Sequence, residues 1–316
     1  MKFGAGFLFF TTVNSYQLGA LSGLEAYKSL ALAAGISGAI TFGSAIAGFH
    51  WFGFTGAIAG QSIGSACRYL LHKKILKGEC RRAEIVPTRG GAAGQASALF
   101  RFALPSAMAG YTLIPATWLA SALLFRQYHG ASEVALYTAA LTFKNVLLFL
   151  PNTITAVTLS VINHTKATTS IYRYLRLYLY NIALVSGVIL LCGIPFLLFG
   201  TTLLKAFGRD FSAGHSVLSL LTLSAVADGI TLAAYPLFHS QGRMWLSFWA
   251  LAVPRDTIFV ALAYYWVPKL GALGLAQAQL ASSIFVTLSA IACAGVIAWG
   301  LTRTLAAPAM PLAERV

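Results

Sequence analysis

Acidic residues are scarce in this chain: eight Asp and Glu stand among 316 residues, against 22 Lys and Arg. Charged residues of both signs make up only 9%, where a soluble domain carries about 25%. So little charge excludes an ordinary water-facing surface. The four cysteines (Cys67, Cys80, Cys192, Cys293) have no paired spacing and no CxxC, which argues against a disulfide framework and against zinc. The histidines form no HExxH and join no carboxylate cluster, so no metal site is expected. A phosphate-binding GxxxxGK[ST], a GxSxG elbow and a close pair of carboxylates are missing too. The chain is therefore expected to be neither an ATPase nor any other enzyme, and no cofactor is called for.

What is present is apolar. Hydrophobic residues make up 58% of the chain and the mean hydropathy is +0.75. A bilayer-spanning helix needs about 20 mostly apolar residues. Such stretches run near 3–22, 30–49, 52–72, 98–125, 134–162, 175–200, 212–238, 244–267 and 271–302. The expected fold class is an all-α polytopic membrane protein with about nine transmembrane helices. Ten-residue alternating segments, the mark of a transmembrane β-barrel, are not seen.

The net charge of +14 lies mostly in short loops between apolar runs, the pattern of the positive-inside rule and not of a nucleic-acid patch. Alternate loops divide the basic residues into fourteen on one side and five on the other. The richer side is expected to be cytoplasmic and to hold the C-terminus. An odd number of spans then puts the first residue outside, an awkward start for Met-Lys followed by an apolar run. A signal peptide built on Lys2 and Phe3–Val13 is one explanation, but no A-x-A site follows, and Asn14, Gln17 and Glu25 come at near-helical spacing. Three further spans upstream of Met1 are the better expectation.

The longest polar stretch begins at His72 and is rich in Lys and Arg. It divides the chain into a three-helix group (1–72), a basic cytoplasmic linker (73–95), a six-helix group (96–304) and a cytoplasmic tail (305–316). Gly56, Gln61 and Ser65 recur at identical spacing as Gly274, Gln279 and Ser283, a faint internal repeat.

Three cations fall inside apolar stretches: Arg101, Lys144 and Arg255. A charge at bilayer depth costs roughly 2.5–3.5 kcal/mol, so it faces a cavity or a partner. Arg101 shares a helix face with Pro105, Met108, Thr112 and Pro115; lying one turn into its span, it can line a cavity or snorkel to the interface. Lys144 sits about ten residues from either end of its span, too deep to snorkel easily. Beside it runs a polar seam of Thr138, Thr142, Asn145, Asn152 and Thr155, with Pro151 breaking the helix ladder. Ser224, Asp228, Thr231 and Tyr235 share a face of another span. Asp228 either pairs across helices with Arg255 or titrates and couples an ion. Arg255 and Asp256 are adjacent and point about 100° apart, so one partner cannot face both.

Three segments resemble a known pattern. Residues 12–26 (TVNSYQLGALSGLEA) resemble the fourth-span motif of bacterial polysaccharide flippases in the multidrug/oligosaccharidyl-lipid/polysaccharide exporter (MOP) superfamily. Residues 143–151 (FKNVLLFLP) resemble the eighth-span signature, and residues 241–245 (QGRMW) the loop before the eleventh span. The resemblance implies a twelve-helix, two-bundle exporter fold from which the first three helices have no counterpart here. It implies flipping of an isoprenoid-pyrophosphate-linked oligosaccharide across the inner membrane for surface polysaccharide or O-antigen synthesis, with a glycan polymerase of the same pathway as a partner. Arg101, Lys144, Arg255, Asn145 and Asn152 would hold the substrate's pyrophosphate or acidic sugars, and Asp228 would couple an ion. The rivals are a membrane-embedded glycan polymerase or ligase and a drug or cation antiporter of the same fold.

Overall fold

The computed structural model describes residues 2–24, 26–85, 97, 99–168 and 171–306, which are helical almost throughout. Glu25, residues 86–95 of the expected linker and residues 307–316 of the expected tail lie outside the described residues. The chain divides into two compact units, Met1–Ala92 and Ala93–Val316.

The first unit holds α1 (Lys2–Gly23) and α2 (Tyr27–Arg82). At Gly53 the backbone of α2 turns to φ 59°, ψ −145°, a conformation open to glycine because it has no Cβ. The helix folds back there into two limbs, residues 27–52 and 54–82. Gly56, Gly60 and Gly64 recur every fourth residue and so form one stripe on the second limb. A Cβ on any of them would strike the first limb: the Gly48 carbonyl, the Ser44 carbonyl and the Thr41 side chain respectively. Small residues let two backbones approach this closely, and van der Waals packing supplies the attraction that apolar burial cannot provide in lipid. Ser44 Oγ adds a hydrogen bond to the Gly60 carbonyl at 2.8 Å. The second limb stays helical as far as Arg82, through the first ten residues of the expected linker.

The second unit holds α3 (Leu104–Phe125), α4 (Gly130–Thr168), α5 (Ile171–Leu204), α6 (His215–Ser240), the single turn α7 (Met244–Ser247) and α8 (Val253–Ala306). Most of α6 is buried, and α4, α5 and α8 pack around it. Leu218 and Leu221 meet Tyr137, Phe259 and Leu275, while Leu237 and Phe238 meet Tyr174, Leu251 and Val286. The outer faces are apolar, with Leu179, Leu191 and Leu198 largely exposed, as befits helices solvated by lipid.

Two π-helical turns, Leu99–Ala103 and Phe248–Ala252, run directly into α3 and α8. Pro105 and Pro254 follow them; a proline donates no N–H and its ring crowds the preceding turn, and a wider turn accommodates both effects. The long α8 folds back at Gly271 (φ 57°, ψ −133°), again giving two limbs. Each break lies three residues before a glycine of the internal repeat, Gly56 or Gly274. A Cβ on Gly274 would lie 2.5 Å from the Trp266 carbonyl, the counterpart of the Gly48 carbonyl beside Gly56. The two hairpins therefore share one local design. Just past the second break, Glu133 Oε2 accepts the Ala272 N–H at 2.7 Å and caps the returning limb.

Among the described residues, six stretches are long and apolar enough to cross a membrane. Two of them, of 56 and 57 residues, contain the glycine breaks, and α1 is not one of the six. Eight of the nine stretches read from sequence fall within these six, two of which fold on themselves, and the ninth, near 3–22, is α1.

Candidate functional site

Lys144 belongs to the buried face of α4, with Tyr137, Ala140, Leu147 and Pro151. Its neighbours in the polar seam, Thr138, Thr142, Asn145 and Asn152, are exposed, so lysine and seam occupy different faces. Thr142 and Asn152 hydrogen-bond to carbonyls of their own helix, Thr138 and Leu148. Only Thr155, at the far end of the seam, is buried.

The lysine is paired. Its Nζ lies 2.7 Å from Asp228 Oδ2 on α6, with the Lys144 side chain 5% exposed and that of Asp228 24%. Arg255 Nε donates to Asp256 Oδ1 at 2.8 Å. One expectation is thereby corrected: Asp228 forms its ion pair with Lys144 and not with Arg255. Arg255 instead folds its guanidinium stem back over its own neighbour, Asp256. The excess of buried positive charge inferred from sequence is gone: each of these two cations has a carboxylate, as the cost of a lone ion at bilayer depth demands.

Asp228 and Asp256 both lie within electrostatic reach of Arg255 and of Tyr235 on α6. Through that reach Lys144, Asp228, Arg255 and Asp256 make a loose cluster whose formal charges cancel. Asp256 retains a buried oxygen, Oδ2, without a hydrogen-bond partner. Ser224 and Thr231, on the same face of α6, satisfy themselves through the Leu221 carbonyl and the Thr287 hydroxyl.

The second unit holds two cavities, and of these four charged residues only Asp256 lines one; Lys144, Asp228 and Arg255 line neither. The larger, about 1120 Å³, lies between α3 and the first limb of α8, and Asp256 lines it with Met108, Thr112, Trp118 and Tyr264. The smaller, about 400 Å³, lies among α3, α4, α6 and α7; Asn152, Thr155, Tyr235 and His239 line it. The predicted α3 face is divided between them, Pro105 on the smaller and Met108, Thr112 and Pro115 on the larger. Arg101 sits exposed on the π-helical turn and lines neither. Nor does Asn145, which is exposed on α4.

Residues 241–245 tie this end of the unit together. Gln241 Nε2 donates to the Tyr174 hydroxyl and Trp245 Nε1 to the Phe100 carbonyl, with Gly242 at φ 67° between them. Sequence reasoning missed His239, Ser106 and Ser247. His239 lies one turn beyond Tyr235, their rings 6.3 Å apart, so extending the polar face of α6 by four residues would have found it. Among the described residues no three His, Cys, Asp or Glu side chains cluster to hold a metal.

No protein-family model matches the chain. Its backbone, however, superposes on a crystal structure of MATE in the bent conformation with a TM-score of 0.78, at 17% identity, covering 96% of this chain and 68% of that one. The chain has the fold of this MATE structure. A MOP superfamily transporter from Pyrococcus furiosus, described as having a binding pocket of reverse polarity, gives a TM-score of 0.70 at 16% identity, over 84% of this chain and 62% of that one. The sequence resemblance runs to polysaccharide exporters. The chain is 25% identical over 198 residues to the EPS I polysaccharide export inner membrane protein EpsE of Ralstonia nicotianae, covering 60% of this chain and 44% of that protein. It is 24% identical over 204 residues to the protein of the same name from Ralstonia solanacearum, covering 64% and 44%. The chain thus matches less than half the length of these relatives.

Proposed function

We propose that this MOP-fold chain translocates an isoprenoid-pyrophosphate-linked oligosaccharide from the cytoplasmic to the outer leaflet of the inner membrane, for surface polysaccharide or O-antigen assembly. Its C-terminus is cytoplasmic, and a glycan polymerase of the same pathway takes the product. The observation that carries this reading is the buried Lys144–Asp228 ion pair within the second unit, a unit that also holds two cavities. A pyrophosphate oxygen offers Lys144 the same charge-assisted hydrogen bond that Asp228 offers. The incoming anion displaces the carboxylate, which then takes up a proton or another cation, and this exchange is the coupling step. Arg255 supplies a second cation when Asp256 yields. Arg101, Asn145 and Asn152, all exposed, meet the substrate on its way in or out.

The reading is tested in a host lacking its own flippase for a defined surface glycan. The chain restores the glycan, and Lys144→Met abolishes it while the protein still inserts. Full surface glycan with Lys144→Met, or none with the unaltered chain, ends this reading.

One observation favours a second function, export of an organic cation: the unpartnered Asp256 Oδ2 on the larger, aromatic-walled cavity. Efflux of a quaternary-ammonium dye that is lost with Asp256→Asn supports that alternative.

A further inference from the structure

The smaller cavity of the second unit has a chemistry unlike the ion pairs next to it. Ser106, Asn152, Thr155, Tyr235, His239 and Ser247 supply its polar lining, and no Asp, Glu, Lys or Arg is among the described residues that line it. Every one of these six side chains can both donate and accept hydrogen bonds, or carries both kinds of group. Thr155 is only 7% exposed, and its Oγ1, facing no hydrogen-bond partner, is fully buried. A buried hydroxyl left without a partner is costly, and turning about χ1 toward the cavity to meet a ligand hydroxyl removes that cost. The remaining walls are apolar, with Phe248 and the rings of Pro105 and Pro236 among them.

We propose that this cavity is a subsite for one uncharged, hydroxyl-rich sugar of the lipid-linked substrate. The proposal rests on the flippase reading and deepens it. A pyranose carries hydroxyls around its rim and C–H groups on its faces, which match ambivalent polar groups over apolar walls. A phosphate, which accepts but does not donate at full ionisation, calls for cations that this lining lacks. An isoprenoid chain would leave Thr155 unsatisfied. The volume of about 400 Å³ falls at the lower end of the range for small-molecule sites, the scale of a single sugar and not of a long glycan. Position agrees as well. The first sugar of such a substrate is bonded directly to the pyrophosphate, so its subsite must adjoin the cations. Tyr235 lines the cavity and also stands within the field of Arg255, Asp228 and Asp256. Selection of a neutral sugar at this position departs from the acidic glycan that unpaired cations would have suited.

The test places the full chain in lipid nanodiscs and measures saturation-transfer NMR signals from methyl glucoside and methyl galactoside, each beside its uronic acid counterpart. At least one neutral glycoside is expected to receive saturation and its uronate at least about fivefold less. Thr155→Val, which keeps the shape and removes the hydroxyl, reduces the neutral signal about fivefold, and Thr155→Ser restores it. Equal signals from sugar and uronate, no signal from either neutral glycoside, or a signal unchanged by Thr155→Val overturns the subsite. Glycoside binding without glycan export leaves the subsite standing and ends the flippase reading; export that depends on Lys144 without glycoside binding does the reverse.

Discussion

The hairpin that folds at Gly53 and the one that folds at Gly271 use the same backbone and differ in everything polar around it. Both breaks are glycines with φ near 60°, and each is followed by a glycine that fits against a carbonyl of the opposite limb. Nothing lies within 4 Å of where a Cβ on Gly53 would sit, whereas Glu133 Oε2 lies 2.7 Å from the same point on Gly271. The first hairpin is held by its glycine stripe, by the Ser44 hydrogen bond and by Arg68 Nε donating to Ser37 Oγ across the limbs at 3.1 Å. The second carries the Arg255–Asp256 ion pair on one limb. Backbone geometry of this kind follows from small residues alone, so one hairpin design can carry a single cross-limb hydrogen bond from a cation in one unit and an ion pair in the other.

The largest effect expected from attacking that contrast comes from the charged side. Lys144→Met strips Asp228 of its partner, and removing one member of a buried pair costs about 3–5 kcal/mol. Thermal unfolding in nanodiscs measures the loss, and the doubly neutral Lys144→Met/Asp228→Asn recovers most of it without recovering export. Recovery of export in the double variant would reduce the pair to a structural device.

Next come the glycines that both hairpins share. Gly56→Val and Gly274→Val each drive a side chain into a backbone carbonyl and are expected to cost about 3 kcal/mol. Cys67 lies on the limb of Gly56 and Cys293 on that of Gly274, and both are free thiols, so thiol labelling reports each hairpin separately. Gly56→Val accelerates labelling of Cys67, and Gly274→Val that of Cys293. A hairpin indifferent to its valine would end the equivalence of the two.

The breaks themselves sharpen the contrast at smaller scale. Alanine in this glycine-only region of positive φ and extended ψ costs roughly 1–3 kcal/mol, which is all that Gly53→Ala should show. Gly271→Ala meets Glu133 as well and is expected to exceed it by the same measurement. The smallest effect is that of Glu133→Gln, which weakens the cap on Ala272 by about 0.5–1 kcal/mol. It lowers the unfolding temperature modestly and narrows the difference between the two glycine variants.

The apolar stretches, the depth of Lys144, the polar face of Asp228 and Tyr235, and the echo of Gly56 in Gly274 were all legible in the sequence, because each rests on spacing along one helix. Partner choice was not. Lys144 could not be assigned to Asp228 without knowing that α4 packs on α6, and the polar seam beside it drew attention to the wrong face. Arg255 reads from spacing as a partner for Asp228 and not for Asp256, because helical geometry fixes where Cβ points and not where a long guanidinium side chain ends. The smaller cavity combines Ser106, Thr155, His239 and Ser247 from four helices, and no single stretch of sequence displays that convergence.

The cancelling charges of the cluster have an electrical consequence. Each elementary charge carried across the membrane exchanges about 2.3 kcal/mol with the field per 100 mV. Lys144, Asp228, Arg255 and Asp256 together carry none, so in the cycle proposed above the return of the empty protein is indifferent to membrane voltage. Whatever charge arrives with the cargo or its counter-ion sets the voltage dependence alone, and current recorded across a planar bilayer with and without substrate reads it directly.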